Sequence, residues 1–297
     1  MKIDLNGQLI EEEQAVVSVY DHGFLYGMGL FETFRTYGGR PFLLEWHMER
    51  LAAGCADLDM AFVPSLAGLR QRIGRVLEAN GLDDAYFRYT VTAGSGALGL
   101  PAETYVQPAE VLYAKLLPPA DPELYRRGRG LQLLALPRNT PEGRVRLKSL
   151  HYMNNILAKQ EMKQYPWARG AEGLFLDGRG RLCEGIVSNV FFVRLGVLHT
   201  PSVDTGLLPG ITRRFVLFLA DKLGIPVVEG LYGWEELLEA DEVFLTNSIQ
   251  EIVPVTVLWD EQGRAVTVGG GRIGPMTLQL LEAYRQASAQ TEDESGE

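Results

Sequence analysis

A cluster of prolines near the middle of the chain limits the folds that this sequence can adopt. Three prolines occur within residues 118–122. Proline removes a backbone donor and is costly inside helices and central strands, so we expect this segment to be an extended, exposed linker. The sequence therefore predicts a small N-terminal α+β domain over 1–117, a linker over 118–124, and a larger C-terminal α+β domain over 125–297.

Strand and helix patterns are mixed in both halves of the chain. Asn6-Gly7 is a strong hairpin signal, and apolar spacing predicts helices over Leu44–Leu58 and Ser65–Asn80. The other predicted strands are Leu30–Tyr37, Ala85–Ala93, Ala109–Leu116, Leu131–Leu136, Gly173–Leu176, Arg181–Val193 and Glu242–Thr246, and the other predicted helices are Tyr152–Tyr165, Thr212–Leu223, Trp234–Glu239 and Thr277–Ala289. Because strands and helices do not alternate steadily, the pattern favours an α+β fold over a doubly wound one.

The composition of the 297-residue chain excludes several classes of function. Asp and Glu outnumber Lys and Arg by 38 to 28, and the resulting net charge of −10 would repel a nucleic-acid backbone. No apolar run approaches the roughly 18 residues of a membrane span, and the N-terminal residues do not resemble a signal peptide. The two cysteines and four histidines show no disulfide or metal-ligand spacing. We therefore expect a cytoplasmic protein with no metal, nucleic-acid or membrane partner.

One of the few lysines stands in an apolar context. Lys148 lies between Leu147 and Leu150, just before a predicted helix. Desolvation in an apolar pocket disfavours the charged form of an amine, and a neutral amine can form an imine with an aldehyde. A surface lysine that precedes a helix would explain the same residue.

A carboxylate interrupts an otherwise apolar strand at Glu184. Such a group must either face solvent or pair with a buried cation, and a protonated pyridine nitrogen would be such a cation. A glutamate at an exposed hairpin edge is the simpler alternative.

Three other segments have the residues of an anion site. Gly210 precedes the N–H groups of Ile211 and Thr212 at a helix start, where anions bind, although simple capping by Thr212 would explain the same residues. Ser248 lies in a polar turn that could be a second phosphate loop. Arg50 could clamp a phosphate with its planar fork, or it could form a common surface ion pair.

In this order, these segments resemble the fold-type IV pyridoxal-phosphate enzymes, which include branched-chain aminotransferases, D-amino acid aminotransferases and aminodeoxychorismate lyases. The resemblance runs from about Asn6 to Val255. Its most specific motifs are Phe31-Glu32-Thr33, His47-x-x-Arg50-Leu51, Leu147-Lys148-Ser149, Glu184-Gly185-x-x-Ser188-Asn189, Pro209-Gly210-Ile211-Thr212-Arg213, Asn247-Ser248 and Glu251-Ile252-x-Pro254-Val255.

The resemblance implies a fold, a cofactor and roles for the site residues. The fold is that of a two-domain D-amino acid aminotransferase-like enzyme, with pyridoxal 5′-phosphate between its domains. Lys148 is expected to bond to the cofactor aldehyde and to move protons, and Glu184 to pair with the pyridine nitrogen. The phosphate is expected to contact four residues: Arg50, Ile211, Thr212 and Ser248. A homodimer and a small-molecule amino substrate are further expectations of the family.

Within the family, the residues around the motifs are similar to those of bacterial aminodeoxychorismate lyases, as in Phe31–Arg35 and Lys148–Tyr152. D-amino acid aminotransferases usually have tyrosine where this chain has Phe31, and they carry a basic trap near its residues 96–99. Branched-chain aminotransferases usually have Phe-Glu-Gly at 31–33, although their substrate arginine matches Arg88.

The resemblance therefore implies a lyase of folate biosynthesis that forms 4-aminobenzoate and pyruvate. Phe31 and Arg88 are the expected substrate contacts. Two alternatives are a branched-chain or D-amino acid aminotransferase of the same fold, and an inactive binding protein built on that fold.

Overall fold

The chain folds into two compact units, in a computed structural model that describes residues 1–119 and 121–290. Of the described residues, the first unit contains Met1–Pro118, Leu147–His151 and residues 288–290, and the second contains Pro119–Arg146 and Tyr152–Ala287. Leu147–His151 therefore departs from the predicted C-terminal domain, because this segment pairs with a strand of the first unit. The ranges 1–117 and 125–297 as separate domains stay a prediction.

The first unit is built on a six-stranded antiparallel sheet. Its strands are β1 (Lys2–Leu5), β2 (Gln8–Glu11), β3 (Gly29–Tyr37), β4 (Arg40–Pro41), β5 (Tyr86–Thr92) and β6 (Ala109–Lys115), and its helices are α1 (His22–Tyr26), α2 (Leu44–Asp57), α3 (Leu66–Asn80) and a 3₁₀ turn at Glu12–Gln14. The strands lie in the order β2-β1-β6-β5-β3-β4.

Local sequence signals explain several boundaries in this unit. Asn6 and Gly7 both adopt positive φ angles (52° and 84°), as a tight hairpin turn between β1 and β2 requires. Ser65 caps α3 by accepting the N–H of Gly68 (3.1 Å), and Gly81 ends the helix with φ of 62°. The apolar faces of α2 and α3 are buried against the sheet around Phe34.

The second unit is built on a nine-stranded mixed sheet. Its strands are β7 (Arg129–Leu133), β8 (Glu172–Leu176), β9 (Leu182–Gly185), β10 (Asn189–Arg194), β11 (Val197–Pro201), β12 (Val227–Gly230), β13 (Glu242–Asn247), β14 (Glu251–Trp259) and β15 (Ala265–Thr267), and its helices are α4 (Pro122–Arg127), α5 (Met153–Glu161), α6 (Ile211–Lys222), α7 (Trp234–Leu238) and α8 (Pro275–Gln290), with 3₁₀ turns at Met162–Gln164, Pro166–Ala168 and Val203–Thr205.

The main path of this sheet is β12-β11-β10-β13-β14-β7-β8-β9, and β15 pairs with β14. β10 and β13 are buried almost throughout, which explains their nearly continuous apolar sequences. Together, the two units confirm the predicted α+β class.

Three predicted elements differ from the structure. The linker 118–124 is not wholly extended, because Asp121 accepts the N–H of Glu123 and Pro122 begins α4; proline is well suited to the first position of a helix. Ala120 of that linker lies outside the described residues, as do residues 291–297. The predicted strand Arg181–Val193 is two strands.

The break between these two strands is a turn in which the N–H of Gly185 donates to the carbonyl of Ser188 (2.8 Å).

The third difference is a helix that is shorter than predicted. The prediction was Tyr152–Tyr165, but α5 ends at Glu161 and a 3₁₀ turn follows. Tyr165 precedes a proline, and the residue before proline disfavours helical geometry.

Candidate active site

Lys148 lies on a short segment that extends the edge of β3. The N–H of Phe31 donates to the carbonyl of Lys148 (2.9 Å), and the N–H of Leu150 donates to the carbonyl of Gly29 (3.0 Å). Leu30 and Ser149, which lie between these two bonds, form an isolated antiparallel bridge. The register of β3 therefore fixes the position of Lys148, which is half-buried.

Two basic side chains lie against the ring of Phe31. Nζ of Lys148 lies 4.6 Å from the ring centroid, and Cζ of Arg88 on β5 lies 3.5 Å from it. Arg88 also donates through Nε to the hydroxyl of Thr90 (3.3 Å). The negative face of an aromatic ring favours both contacts. The structure thus brings the predicted catalytic lysine together with the two predicted substrate residues.

Arg50, a predicted phosphate residue on α2, is held by a buried carboxylate on β3. Its Nε and Nη2 donate to Oε1 and Oε2 of Glu32, at 2.8 and 2.6 Å. Nδ1 of His47, one turn earlier on α2, lies 2.6 Å from Oε2. These side chains, with Lys148, Phe31 and Arg88, form what we call the lysine cluster.

The buried pair Glu32 and His47 has shifted ionisation. Burial opposes the ionisation of Glu32, but the charge of Arg50 and the hydrogen bond from His47 outweigh it and lower the pKa of Glu32 from 4.5 to about 2. Burial also lowers the pKa of His47 from 6.5, although Glu32 opposes this shift, and the charges of Arg50 and Lys148 add to it. At neutral pH, Glu32 is therefore ionised and His47 is neutral.

Glu184 on β9 is buried, with 4% of its surface exposed. The alternative of an exposed hairpin edge is therefore wrong. Its Oε1 accepts from Nε of Arg138 (2.7 Å), its Oε2 accepts the N–H of Leu208 (2.9 Å), and Nε of Arg146 lies 3.8 Å from Oε1. A buried carboxylate needs such partners.

Arg138, to which no sequence motif pointed, is also held by two side chains other than Glu184. Its Nη1 donates to the side-chain oxygens of Asn154 (2.7 Å) and Asn155 (3.2 Å) on α5. Asn155 in turn donates to the carbonyl of Ile186 (2.6 Å), next to the turn that follows Glu184. This network leaves the carboxylate of Glu184 little freedom to turn.

The start of α6 supplies backbone donors, because the first N–H groups of a helix have no partner within it. Gly210 is the N-cap residue and has no side chain to bond them. A Cβ on Gly210 would lie 2.1 Å from Oδ1 of Asn189, so only glycine fits there. Thr212 is at the second helical position, which excludes the alternative that it is the cap.

Two hydroxyl groups meet at this helix start. Oγ1 of Thr212 lies 3.3 Å from Oγ of Ser248. Ser248 is placed by a tight turn in which Oδ1 of Asn247 accepts the N–H groups of Ile249 and Gln250, at 3.0 and 2.8 Å. We call Glu184, Arg138, Asn155, Ile211, Thr212 and Ser248 the glutamate cluster.

The chemistry of these groups fits pyridoxal 5′-phosphate. The start of α6 offers backbone and hydroxyl donors for a phosphate, Glu184 offers a buried acceptor for a protonated ring nitrogen, and Lys148 offers an amine for an aldehyde. Within the described residues, no group of three or more His, Cys, Asp or Glu side chains could hold a metal ion. Nor does any described helix have the length and hydropathy that a membrane span needs.

Comparison with known proteins identifies relatives with several activities. Residues 29–258 match the family model amino-transferase class IV. Aminodeoxychorismate lyase of Bacillus subtilis is 43% identical over 86% of this chain and 85% of its own. A putative branched-chain-amino-acid aminotransferase of Methanocaldococcus jannaschii is 37% identical over 96% of both chains. D-alanine aminotransferase of Listeria monocytogenes is 32% identical over 96% and 95%.

The solved structures that are similar to this chain include branched-chain aminotransferases and a lyase. Branched-chain amino acid aminotransferase of Escherichia coli matches with a TM-score of 0.85 and 30% identity, over 99% of this chain and 97% of that one. 4-Amino-4-deoxychorismate lyase of Pseudomonas aeruginosa matches with a TM-score of 0.82 and 30% identity, over 96% and 98%. Branched-chain aminotransferase of Thermoproteus uzoniensis with norvaline matches with a TM-score of 0.82 and 31% identity, over 99% and 96%.

Proposed function

Because this chain belongs to the class IV aminotransferases, a family of pyridoxal 5′-phosphate enzymes, we propose that it is a 4-amino-4-deoxychorismate lyase. The proposed reaction converts 4-amino-4-deoxychorismate to 4-aminobenzoate and pyruvate, in folate biosynthesis. The observation that carries the proposal is the ring of Phe31 with Lys148 and Arg88 beside it, which puts a base and a carboxylate-binding cation at one surface.

Six residues are proposed to hold the cofactor. Lys148 would bond to its aldehyde carbon and Glu184 would accept from its ring nitrogen. Its phosphate would be held by Arg50, the N–H groups of Ile211 and Thr212, the hydroxyl of Thr212 and that of Ser248. When bound, the cofactor supplies an electron-accepting ring that stabilises negative charge on the substrate carbon. Arg138 orients the carboxylate of Glu184 through a hydrogen bond of 2.7 Å, which suits its proposed role as the partner of the ring nitrogen.

Lys148 is proposed as the base. Its Nζ, freed when the substrate amine takes its place, would take the proton from the substrate carbon that bears nitrogen, a role that fits the usual use of a positioned amine in proton transfer. The bond from the substrate ring to the enolpyruvyl oxygen then breaks, and the six-membered ring becomes aromatic. The departing enolate takes up one proton and becomes pyruvate.

Arg88 and Phe31 are proposed to position the substrate. The substrate carries two carboxylates, and a guanidinium binds a carboxylate through paired hydrogen bonds. Phe31, which is 3% exposed, holds the guanidinium of Arg88 against its ring and so positions it for the substrate. This local positive charge serves an anionic substrate despite the net charge of −10.

A direct test is a parallel assay of the purified chain with three substrates. With 4-amino-4-deoxychorismate, we expect equal amounts of 4-aminobenzoate and pyruvate. With D-alanine or L-leucine and a 2-oxo acid, we expect much slower amino transfer or none. Amino transfer without formation of 4-aminobenzoate would reject the lyase assignment.

A branched-chain aminotransferase is the second candidate. Arg88 in Tyr86-Phe87-Arg88 matches the substrate arginine of that group, and branched-chain enzymes are among the relatives of this chain. The same parallel assay separates the two, because this candidate requires rapid transfer from L-leucine. An inactive binding protein would show no turnover in any arm. A homodimer also stays a prediction, which the mass of the purified protein in solution would test.

A further inference from the structure

Glu32 is a charged residue on the buried face of β3. On β3 it follows Leu30 and precedes Phe34 on the face that packs against the helices, and both neighbours belong to the core. Glu32 itself is 1% exposed. Replacing a buried ion pair by apolar residues is often neutral or stabilising. Stability alone therefore gives little reason for a carboxylate at this position.

The partners of Glu32 show what the carboxylate does. It binds the Nε and Nη2 edge of Arg50 through both oxygens, at 2.8 and 2.6 Å. This two-bond fork fixes the plane of the guanidinium as well as its distance. Because the guanidinium is planar, its Nη1 edge lies on the side away from Glu32.

His47 fixes the carboxylate in turn. Its Nδ1 lies 2.6 Å from Oε2 of Glu32, and its ring is 1% exposed. Neutral His47 donates this hydrogen bond through Nδ1. By contrast, 18% of the Arg50 side chain is exposed. The guanidinium is thus the part of this chain of contacts that an anion can reach.

β3 connects this arrangement to the lysine. Phe31 and Glu32 are consecutive, so their side chains lie on opposite faces of the strand. Phe31 contacts the Lys148 amine and pairs with the Lys148 backbone, while Glu32 holds Arg50. A single strand therefore sets the positions of the aldehyde-binding amine and of the guanidinium.

We propose that Glu32, held by His47, is a positioning residue that orients Arg50 toward the phosphate of the cofactor. This inference rests on the cofactor sites of the proposed function but not on the lyase reaction. Glu32 lowers the net positive charge around Arg50, and in return it fixes the direction of the guanidinium. Its effect should therefore depend on whether the ligand carries a phosphate.

The test compares pyridoxal 5′-phosphate with pyridoxal, which lacks the phosphate. The cofactor is first removed from the full chain. Each compound is then added back in increasing amounts, and its dissociation constant is measured from the visible absorbance. For Glu32→Gln we expect the preference for the phosphorylated compound to fall about 10-fold to 100-fold, as for one or two charge-assisted hydrogen bonds. The constant for pyridoxal should change by less than about twofold, because pyridoxal has no phosphate for Arg50 to bind.

A double variant tests whether Glu32 acts through Arg50. Arg50→Met alone should lower the same preference at least as much as Glu32→Gln does. Adding Glu32→Gln to Arg50→Met should cause little further loss, since residues of one network are not additive. Full additivity of the two losses would overturn the proposal.

Glu45→Gln is the matched control. Glu45 lies on α2, as Arg50 does, and forms an ion pair with Arg70, but both side chains are about half exposed. We expect the Glu45→Gln chain to prefer pyridoxal 5′-phosphate over pyridoxal as strongly as the unmodified chain does. Equal loss of both ligands in Glu32→Gln, or a lower melting temperature with unchanged preference, would show a structural role and overturn the proposal.

A second variant keeps the inference testable if Glu32→Gln does not fold. His47→Asn retains a donor near Glu32 but shortens the side chain, and we expect a smaller loss of the same preference. An unchanged preference in a folded His47→Asn chain would count against the arrangement. Since no substrate is used, a failed lyase assay would leave this result intact, whereas an unmodified chain that binds neither compound would overturn both proposals.

Discussion

The lysine cluster and the glutamate cluster each contain an ion pair between an arginine and a glutamate, but the two pairs differ in how deeply the arginine is buried. In the lysine cluster, Glu32 is the more deeply buried partner and Arg50 reaches the surface. In the glutamate cluster, Arg138 and Glu184 are equally buried, and we assign the ligand-binding role to the carboxylate.

This difference shows that the contacts of an ion pair matter more than its composition. Arg138 is anchored by the asparagines at the start of α5, so it serves as the fixed partner of Glu184. Glu32 is anchored by His47, so it serves as the fixed partner of Arg50. In the proposed function, the same two residue types would therefore prepare a site for a positive ring nitrogen in one cluster and for a phosphate in the other.

The largest effect is expected for Lys148→Ala. The variant should lose the yellow colour of the bound cofactor and at least about 10³-fold in turnover, since proton transfer by a positioned group is typically worth 10²–10⁴-fold. Lys148→Arg is the matched variant, because arginine also places a basic group near Phe31 but does not lose its proton. Visible spectra and 4-aminobenzoate formation measure both. A coloured, active Lys148→Ala chain would remove Lys148 from its assigned role.

Glu184→Gln should reduce kcat by about 10²-fold, as for removal of one electrostatic stabiliser. It also leaves Arg138 without a counter-charge, and loss of one partner from a buried pair costs about 3–5 kcal/mol in free energy of unfolding. The combined variant Glu184→Gln, Arg138→Met should recover much of this stability but none of the activity. Chemical unfolding and steady-state assays measure the two quantities separately.

Recovered activity in that double variant would contradict the assignment of Glu184 to the ring nitrogen. It would indicate that the carboxylate acts only as the partner of Arg138. Unchanged turnover in Glu184→Gln alone would lead to the same conclusion.

The lysine cluster should lose stability in acid. The pKa of Glu32 is about 2 in the folded chain and 4.5 without the fold, so its contribution is complete above pH 4.5 and is lost as the pH falls toward 2. The pKa of His47 is lowered from 6.5, so its contribution declines as the pH falls below 6.5. In both cases the unfolded chain binds more protons. Melting temperatures between pH 7 and 3 should fall less steeply in Glu32→Gln, and parallel curves would contradict the assigned ionisation.

The smallest effect is expected for the hydroxyl groups at the start of α6. Ser248→Ala and Thr212→Val should each weaken pyridoxal 5′-phosphate binding about threefold to tenfold, the value of one ordinary hydrogen bond. Pyridoxal binding should stay unchanged. Ser202→Ala is the matched control, since Ser202 caps a 3₁₀ turn elsewhere in the second unit. Equal losses for both ligands would place the hydroxyls away from the phosphate.

Much of the fold was predictable from local signals. The Asn6-Gly7 turn, the end of α3 at Gly81 and the apolar strands β10 and β13 all follow from backbone preference and burial. The helix at Pro122 was missed because an aspartate–proline pair is both a linker signal and a helix start. The partner of the Lys148 segment was not predictable, since its pairing with β3 joins residues more than 100 positions apart.

The candidate site divides in the same way. Sequence motifs identified the residues that are expected to touch the cofactor, such as Lys148 and Glu184. They did not identify Arg138 or Asn155, whose role depends on contacts 46 and 31 positions away. Glu32 could have been found, because it stands between Leu30 and Phe34 on one face of the predicted strand Leu30–Tyr37.

The most direct test of this account is to locate the cofactor bond chemically. Borohydride treatment of the purified yellow protein should fix the cofactor to one lysine, and peptide mass analysis should identify it as Lys148. The other five lysines of the chain (Lys2, Lys115, Lys159, Lys163 and Lys222) serve as internal controls. Label on any of these five, or no label in a coloured protein, would contradict the account.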